Sequence, residues 1–224
     1  MERHFQHELE SVKTTLIKMG SVVEENFGES VEAVLQHRES LAKKVIESDG
    51  RINALEIEID NAIIDLLALQ QPVAGDLRFI IAAQKINNDL ERIGDHAVNI
   101  AESALHLANE KPPESLLRIP EMAQTTKLML RHALDSFILL DPKMAQQVLE
   151  KDDEVDETNR TMTAEVIDLI RADKRSIELG LELIRISRNL ERVADMTTNI
   201  AEEVIFHTQA RIVKHHAEAS AVNN

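Results

Sequence analysis

Leu90-Glu91-Arg92-Ile93-Gly94-Asp95-His96-Ala97-Val98-Asn99-Ile100-Ala101-Glu102 returns one hundred residues later as Leu190-Glu191-Arg192-Val193-Ala194-Asp195-Met196-Thr197-Thr198-Asn199-Ile200-Ala201-Glu202. Around the first copy, Ile86, Leu90, Ile93, Ala97, Ile100, Ala104 and Leu107 advance in steps of three and four. That spacing keeps one face of a helix apolar. A second, earlier match pairs Ala42-Lys43-Lys44-Val45-Ile46-Glu47-Ser48-Asp49 with Ala145-Gln146-Gln147-Val148-Leu149-Glu150-Lys151-Asp152, at a shift three residues larger. A longer Gln-Gln-Pro turn in the first half accounts for the difference. The chain is a duplicated helical unit.

Outward from the repeat, the same apolar spacing runs through Leu9, Val12, Leu16, Met19 and Val23. Breaks fall at His37-Arg38, at Gln70-Gln71-Pro72-Val73-Ala74-Gly75, at Pro112-Pro113 through Pro120, and at Ala172-Asp173-Lys174-Arg175. Asp141-Pro142 sets a capping residue ahead of a proline, a helix start. The pattern predicts helices over 6–36, 40–69, 75–109, 121–139, 143–171 and 176–212. The expected fold is all-α: two tandem three-helix bundles, 1–110 and 121–212, with a linker at 111–120 and a tail at 213–224.

Composition excludes much else. None of the 224 residues is cysteine, so disulfides, cysteine-ligated metal sites and thiol catalysis are ruled out. Six Gly, five Pro and 2% aromatics do not suit a many-stranded β protein. A net charge of −15 opposes binding to nucleic acid. The sequence has no run of ~18 apolar residues to span a bilayer. It opens on Met1-Glu2-Arg3-His4 without an apolar signal segment, so a cytoplasmic protein is expected.

The repeated polar residues form stripes. Glu91, Asp95, Asn99 and Glu102 fall on one strip of the third helix, and Glu191, Asp195, Asn199 and Glu202 repeat it. On the preceding helices Asp49 and Asn53 stand four apart, as do Asp152 and Asp156. In an antiparallel hairpin, residues equidistant from the turn lie level. Asp49 with Asp95, and Asn53 with Glu91, are both centred on Pro72; Asp152 with Asp195, and Asp156 with Glu191, are centred on the Ala172–Arg175 turn. Each half therefore sets one acidic pair level with another. Solvated charges and weak ion pairs with Arg92 and Arg192 are one reading of this grouping. Against it, Asp49 takes the slot between Val45 and Ile52 that the apolar stripe would claim, and like charges recur twice in register. Converging oxygen donors suit a hard cation such as Mg²⁺, Mn²⁺ or iron.

Gln71-Pro72…Asp76-Leu77-Arg78, together with the two copies of the repeat, resembles the PhoU family from about Leu9 to Phe206. The resemblance implies two three-helix bundles side by side. It also implies a cytoplasmic negative regulator of the phosphate-starvation response that modulates phosphate transport. The implied partners are a PAS-containing, PhoR-like sensor histidine kinase and the PstB-like ATPase of the phosphate ABC transporter, with a homodimer as the implied assembly. Contact with the membrane would be indirect, through the transporter. Some family members bind iron or other metals through E(D)xxxD motifs, which map here onto Asp49/Asn53, Glu91/Asp95, Asp152/Asp156 and Glu191/Asp195. Asn99 and Asn199 extend the candidate ligand set; iron, manganese, magnesium and zinc are the candidate ions.

Ala194 and Met196 depart from the family's Gly and His, and Asn53 carries one charge fewer than Asp156, so unequal sites are expected. His96 could be a ligand beside Asp95. Arg78 could donate to a carboxylate of its own bundle or to a partner. No catalytic residues are assigned, because neither a nucleophile–base pair nor a Gly-rich phosphate loop is visible. A ferritin-like metal-carboxylate oxidase or metal-storage protein is the alternative, but its Glu-x-x-His motif is missing from the sequence.

Overall fold

A computed structural model describes residues 2–108 and 118–213. The Pro112-Pro113 stretch of the expected linker and the tail beyond Val213 lie outside the described residues. Seven α-helices account for nearly all of the rest: α1 (Glu2–Gln36), α2 (Glu39–Gln70), α3 (Ala74–His106), α4 (Ile119–Leu139), α5 (Pro142–Leu149), α6 (Asp152–Ala172) and α7 (Ile177–Gln209). A 3-10 turn, Lys174–Ser176, leads into α7. Helices α1, α2 and α3 pack on one another, and α4 with the α5–α6 pair packs around α7. The all-α expectation holds.

The apolar stripes do what their spacing requires. Leu9, Val12, Leu16, Met19 and Val23 are all buried, and so is the whole run from Ile86 to Leu107 on α3. Asp141 caps α5 as its position before Pro142 predicts: its Oδ1 accepts from the Lys143 and Met144 amides at 2.8 and 3.3 Å. Gln71 closes α2 in the left-handed conformation, φ 47°, and Val73 opens α3 in an extended one.

Two boundaries differ from the sequence reading. Pro120 sits within the first turn of α4 rather than closing a linker, because an amide there needs no intrahelical acceptor. The helix expected over 143–171 is two helices, parted at Glu150-Lys151. The apolar period continues across the break, which hides it. What favours a fresh start is the run Asp152-Asp153-Glu154, three carboxylates in a first turn, where the helix dipole welcomes negative charge.

The halves meet along α3 and α7, the most extensive helix pairing in the molecule. Lys85 Nζ reaches Glu203 Oε1 at 2.6 Å, Asn199 Nδ2 donates to Asp89 Oδ1 at 3.3 Å, and His106 Nδ1 meets Glu182 Oε1 at 2.9 Å. As numbers rise on α3 they fall on α7, so the two copies of the repeat run antiparallel. One hydrophobic core spans both halves.

Candidate functional site

The hairpin register follows the arithmetic of the turns. Gln84 Nε2 donates to Asp60 Oδ1 at 2.8 Å, and each of these residues is twelve positions from Pro72. In the second half, Ser187 Oγ donates to Asn159 Oδ1 at 2.8 Å, centred on Asp173. That register brings Asp49 and Asn53 alongside Glu91 and Asp95, and Asp156 alongside Glu191 and Asp195.

Close helix approach fixes the first cluster. A Cβ on Gly94 would stand 2.8 Å from Ile52 Cδ1 and 3.9 Å from Asp49 Oδ1. Only a residue without a side chain lets α2 settle so near α3 here. Asn53 Nδ2 donates to Asp49 Oδ2 at 2.9 Å, while Asn53 Oδ1 is buried with no hydrogen-bond partner. Burial pushes the Glu91 carboxyl above its ordinary range, and the charges of Asp95, Glu56 and Asp49 push it further against the weaker pull of Arg92. Glu56 is raised by burial, then by Asp60 and Asp95.

Glu56 was not among the residues expected here. It stands seven positions beyond Asp49, on the same helix face, and that heptad spacing was the available signal. Its carboxylate stands one turn beyond Asn53 and acts on Glu91, so the first cluster also gathers four carboxylates. The positions reverse in the second half, where Asp156 matches Asn53 and Asn159 matches Glu56.

The second cluster contains its own counter-charge. Arg192 lies 3.1 Å from Asp195 Oδ2 and 3.9 Å from Glu191 Oε2. Burial raises both carboxyls, Asp156 adds to the effect, and Arg192 opposes it. Asp152, Asp195 and Asn199 line a cleft of about 810 Å³ that Arg92, Asp153 and Glu202 also border.

Asn99 is placed differently from the expected ligand set. Its Oδ1 accepts from Arg185 Nη2 at 3.0 Å across the α3–α7 contact, and Arg185 also pairs with Glu102. His96 turns to the same contact, its Nδ1 2.8 Å from Asn189 Oδ1. Arg78 belongs to neither cluster and forms no ion pair among the described residues. Also among the described residues, no three carboxylate or imidazole side chains already converge on one metal-sized point. Metal capture would therefore require side chains to swing inward.

The PhoU domain family model matches residues 16–104 and again 119–204, one copy for each half. The chain belongs to the PhoU family. It is 40% identical to the phosphate-specific transport system accessory protein PhoU homolog of Aquifex aeolicus, over 93% of this chain and 94% of that one. It is 31% identical to the PhoU accessory protein of Escherichia coli K12, over 94% and 88% respectively. Among solved structures, PhoU from Pseudomonas aeruginosa superimposes with a TM-score of 0.90 at 36% identity, covering 92% of this chain and all of that one. The phosphate transport system regulatory protein PhoU from Streptococcus pneumoniae gives 0.87 at 29% identity, covering 94% of this chain and all of that one. Among the described residues of this PhoU-family chain, no helix is long and apolar enough to cross a membrane.

Proposed function

We propose that this chain is a cytoplasmic regulator of phosphate homeostasis, a negative regulator of the phosphate-starvation response that modulates the phosphate ABC transporter without turning over a substrate. The observation that carries this reading is likeness to accessory proteins of the phosphate-specific transport system along almost the whole length, in both halves. Its partners are a PAS-containing sensor histidine kinase and the transporter's ATPase, and it works as a homodimer.

The acidic clusters take metal in this reading. The residues fit a hard cation best in the first half, where Asn53 Oδ1 is buried without a partner beside Asp49 and carboxylates crowd Glu91. Asp49, Asn53, Glu56, Glu91 and Asp95 would hold one ion; Asp152, Asp156, Glu191 and Asp195 would hold the other. A bound iron, manganese, magnesium or zinc ion supplies positive charge that reverses the local field.

The test joins two double substitutions to metal titration. A cation binding only the folded state at a hundred times its Kd adds ~2.7 kcal/mol, or roughly 5–10 °C of melting temperature for a chain of this size. Glu91→Ala/Asp95→Ala and Glu191→Ala/Asp195→Ala should each stay helical and lose part of that gain. Each should also release the kinase or the transporter, leaving starvation genes high in abundant phosphate. Folded double mutants that bind both partners and repress normally would sink the reading.

A further inference from the structure

At the Pro72 end of the molecule, well away from both acidic clusters, two buried side-chain nitrogens lack partners. Arg78 Nε and His207 Nδ1 are both shielded from solvent and make no hydrogen bond. Arg78 Nη2 lies 4.0 Å from where a Cβ on Gly75, in the first turn of α3, would stand, so the guanidinium lies against that turn at ordinary contact distance. The His207 ring, in the last turn of α7, packs edge-on against Phe79 with centroids 5.6 Å apart. Phe79 in turn stacks on Phe137 of α4 at 6.3 Å, so the imidazole is held by an aromatic framework. Lys13 of α1 is near enough for its charge to act on His207. Burial, Arg78 and Lys13 together hold the His207 imidazole below its ordinary value.

The grouping is anomalous in this chain. Forty acids face 25 lysines and arginines, yet neither Arg78 nor Lys13 forms an ion pair with any described carboxylate. Leaving a buried donor unmet is costly, and the neighbouring Arg78 and Lys13 charges repel each other besides. An anion between them removes both penalties. The donors come from three helices and so from several directions. A carboxylate offers two oxygens in one plane; a tetrahedral anion offers them all round. All three side chains are partly exposed, which leaves a path from solvent.

We propose that Arg78, His207 and Lys13 form a site for a small tetrahedral oxyanion of the phosphate class where α1, α3 and α7 meet. Arg78 supplies the fixed charge and fork of donors, His207 donates from Nδ1, and Lys13 adds a mobile ammonium. Free inorganic phosphate and a phosphoryl group on a partner share this chemistry. The site stands independently of the regulatory reading and of metal in the acidic clusters.

The experiment titrates the full chain with sodium phosphate at constant ionic strength, with sodium chloride and sodium acetate as controls and phenyl phosphate as a monoester probe. The expected result is a rise in melting temperature and a shift of the His207 ring resonances with phosphate, absent with chloride or acetate. Arg78→Gln should weaken binding roughly tenfold and Lys13→Gln by less, both remaining helical. A response to phenyl phosphate and not to inorganic phosphate also supports the site, with a partner's phosphoryl group as the source. No response to either probe, or an equal response in wild type, Arg78→Gln and Lys13→Gln, would overturn the proposal. Lys13 is on the surface of α1, so that variant remains informative even if Arg78→Gln fails to fold.

Discussion

The first half brings Asp49, Glu56, Glu91 and Asp95 together with almost no basic relief; the second brings Asp152, Asp156, Glu191 and Asp195 together with Arg192 among them. The difference traces to one pair of matched residues. Asp89 on α3 draws Arg92 back to 3.6 Å, away from the cluster. Its counterpart on α7 is Asn189, which offers no charge, so Arg192 points forward to Asp195 and Glu191 instead. Two copies of Leu-Glu-Arg thus serve opposite electrostatic ends. The identity of a motif says less about its charge state than the residue one turn before it.

A second difference is steric. Ile52 packs on Gly94 in the first hairpin; the matched residues in the second are Val155 and Ala194. One methyl has moved from one helix to its neighbour. Gly94→Ala should therefore force its Cβ onto Ile52 Cδ1, and overpacking of ~1–3 kcal/mol will exceed the ~1 kcal/mol gained in helix propensity. We expect a net loss of roughly 1 kcal/mol in denaturant unfolding, since the tip of Ile52 can give a little. Adding Ile52→Val, which recreates the second half's arrangement, should recover most of it. If Gly94→Ala is neutral, or the second change deepens the loss, the two hairpins are not packed alike.

The charge comparison has its own test in Asp89→Asn. Asp89 is buried, and its carboxyl is pushed up to about 6 by desolvation, against the pulls of Asn199 and Arg92. The folded protein keeps this proton while the unfolded chain gives it up near pH 4, so stability falls as pH rises from about 4 to 6 and stays lower above. Asparagine removes that dependence. Wild type should lose stability across this window relative to the variant, which at pH 7 should be firmer by about 1 kcal/mol after its Arg92 contact is lost. Parallel pH profiles for the two proteins would show that Asp89 carries no such penalty.

Smaller still is Arg192→Ala. Arg192 is more than half exposed, so the loss should stay under ~1 kcal/mol and fade in 1 M salt as screening takes over. Thermal melts at low and high salt decide it. A salt-independent loss would point to packing by the arginine's aliphatic stem instead.

Much of this was legible in the sequence because it depends on local periodicity. The stripe from Leu9 to Val23 and the run from Ile86 to Leu107 are buried as their spacing demands, and the Pro72 turn sets Asp49 level with Asp95. What the sequence hid is tertiary. Nothing local distinguishes the α3 face that meets α7 from the one that meets α2, so Asp89 drew no notice and Asn99 read as a cluster ligand. The break at Glu150-Lys151 stayed hidden because an apolar period crosses it unchanged. Arg78 was visible as a basic residue after a turn, but its want of a partner shows only once the neighbouring carboxylates have been placed.

The antiparallel contact of α3 with α7 carries one more consequence. A homodimer built on such a seam would have to accept every substitution twice, once on each side of its axis. Here both sides are encoded separately, so Lys85 can face Glu203 while its counterpart Arg185 takes Asn99 and Glu102. Duplication freed the two faces of one interface to become different surfaces.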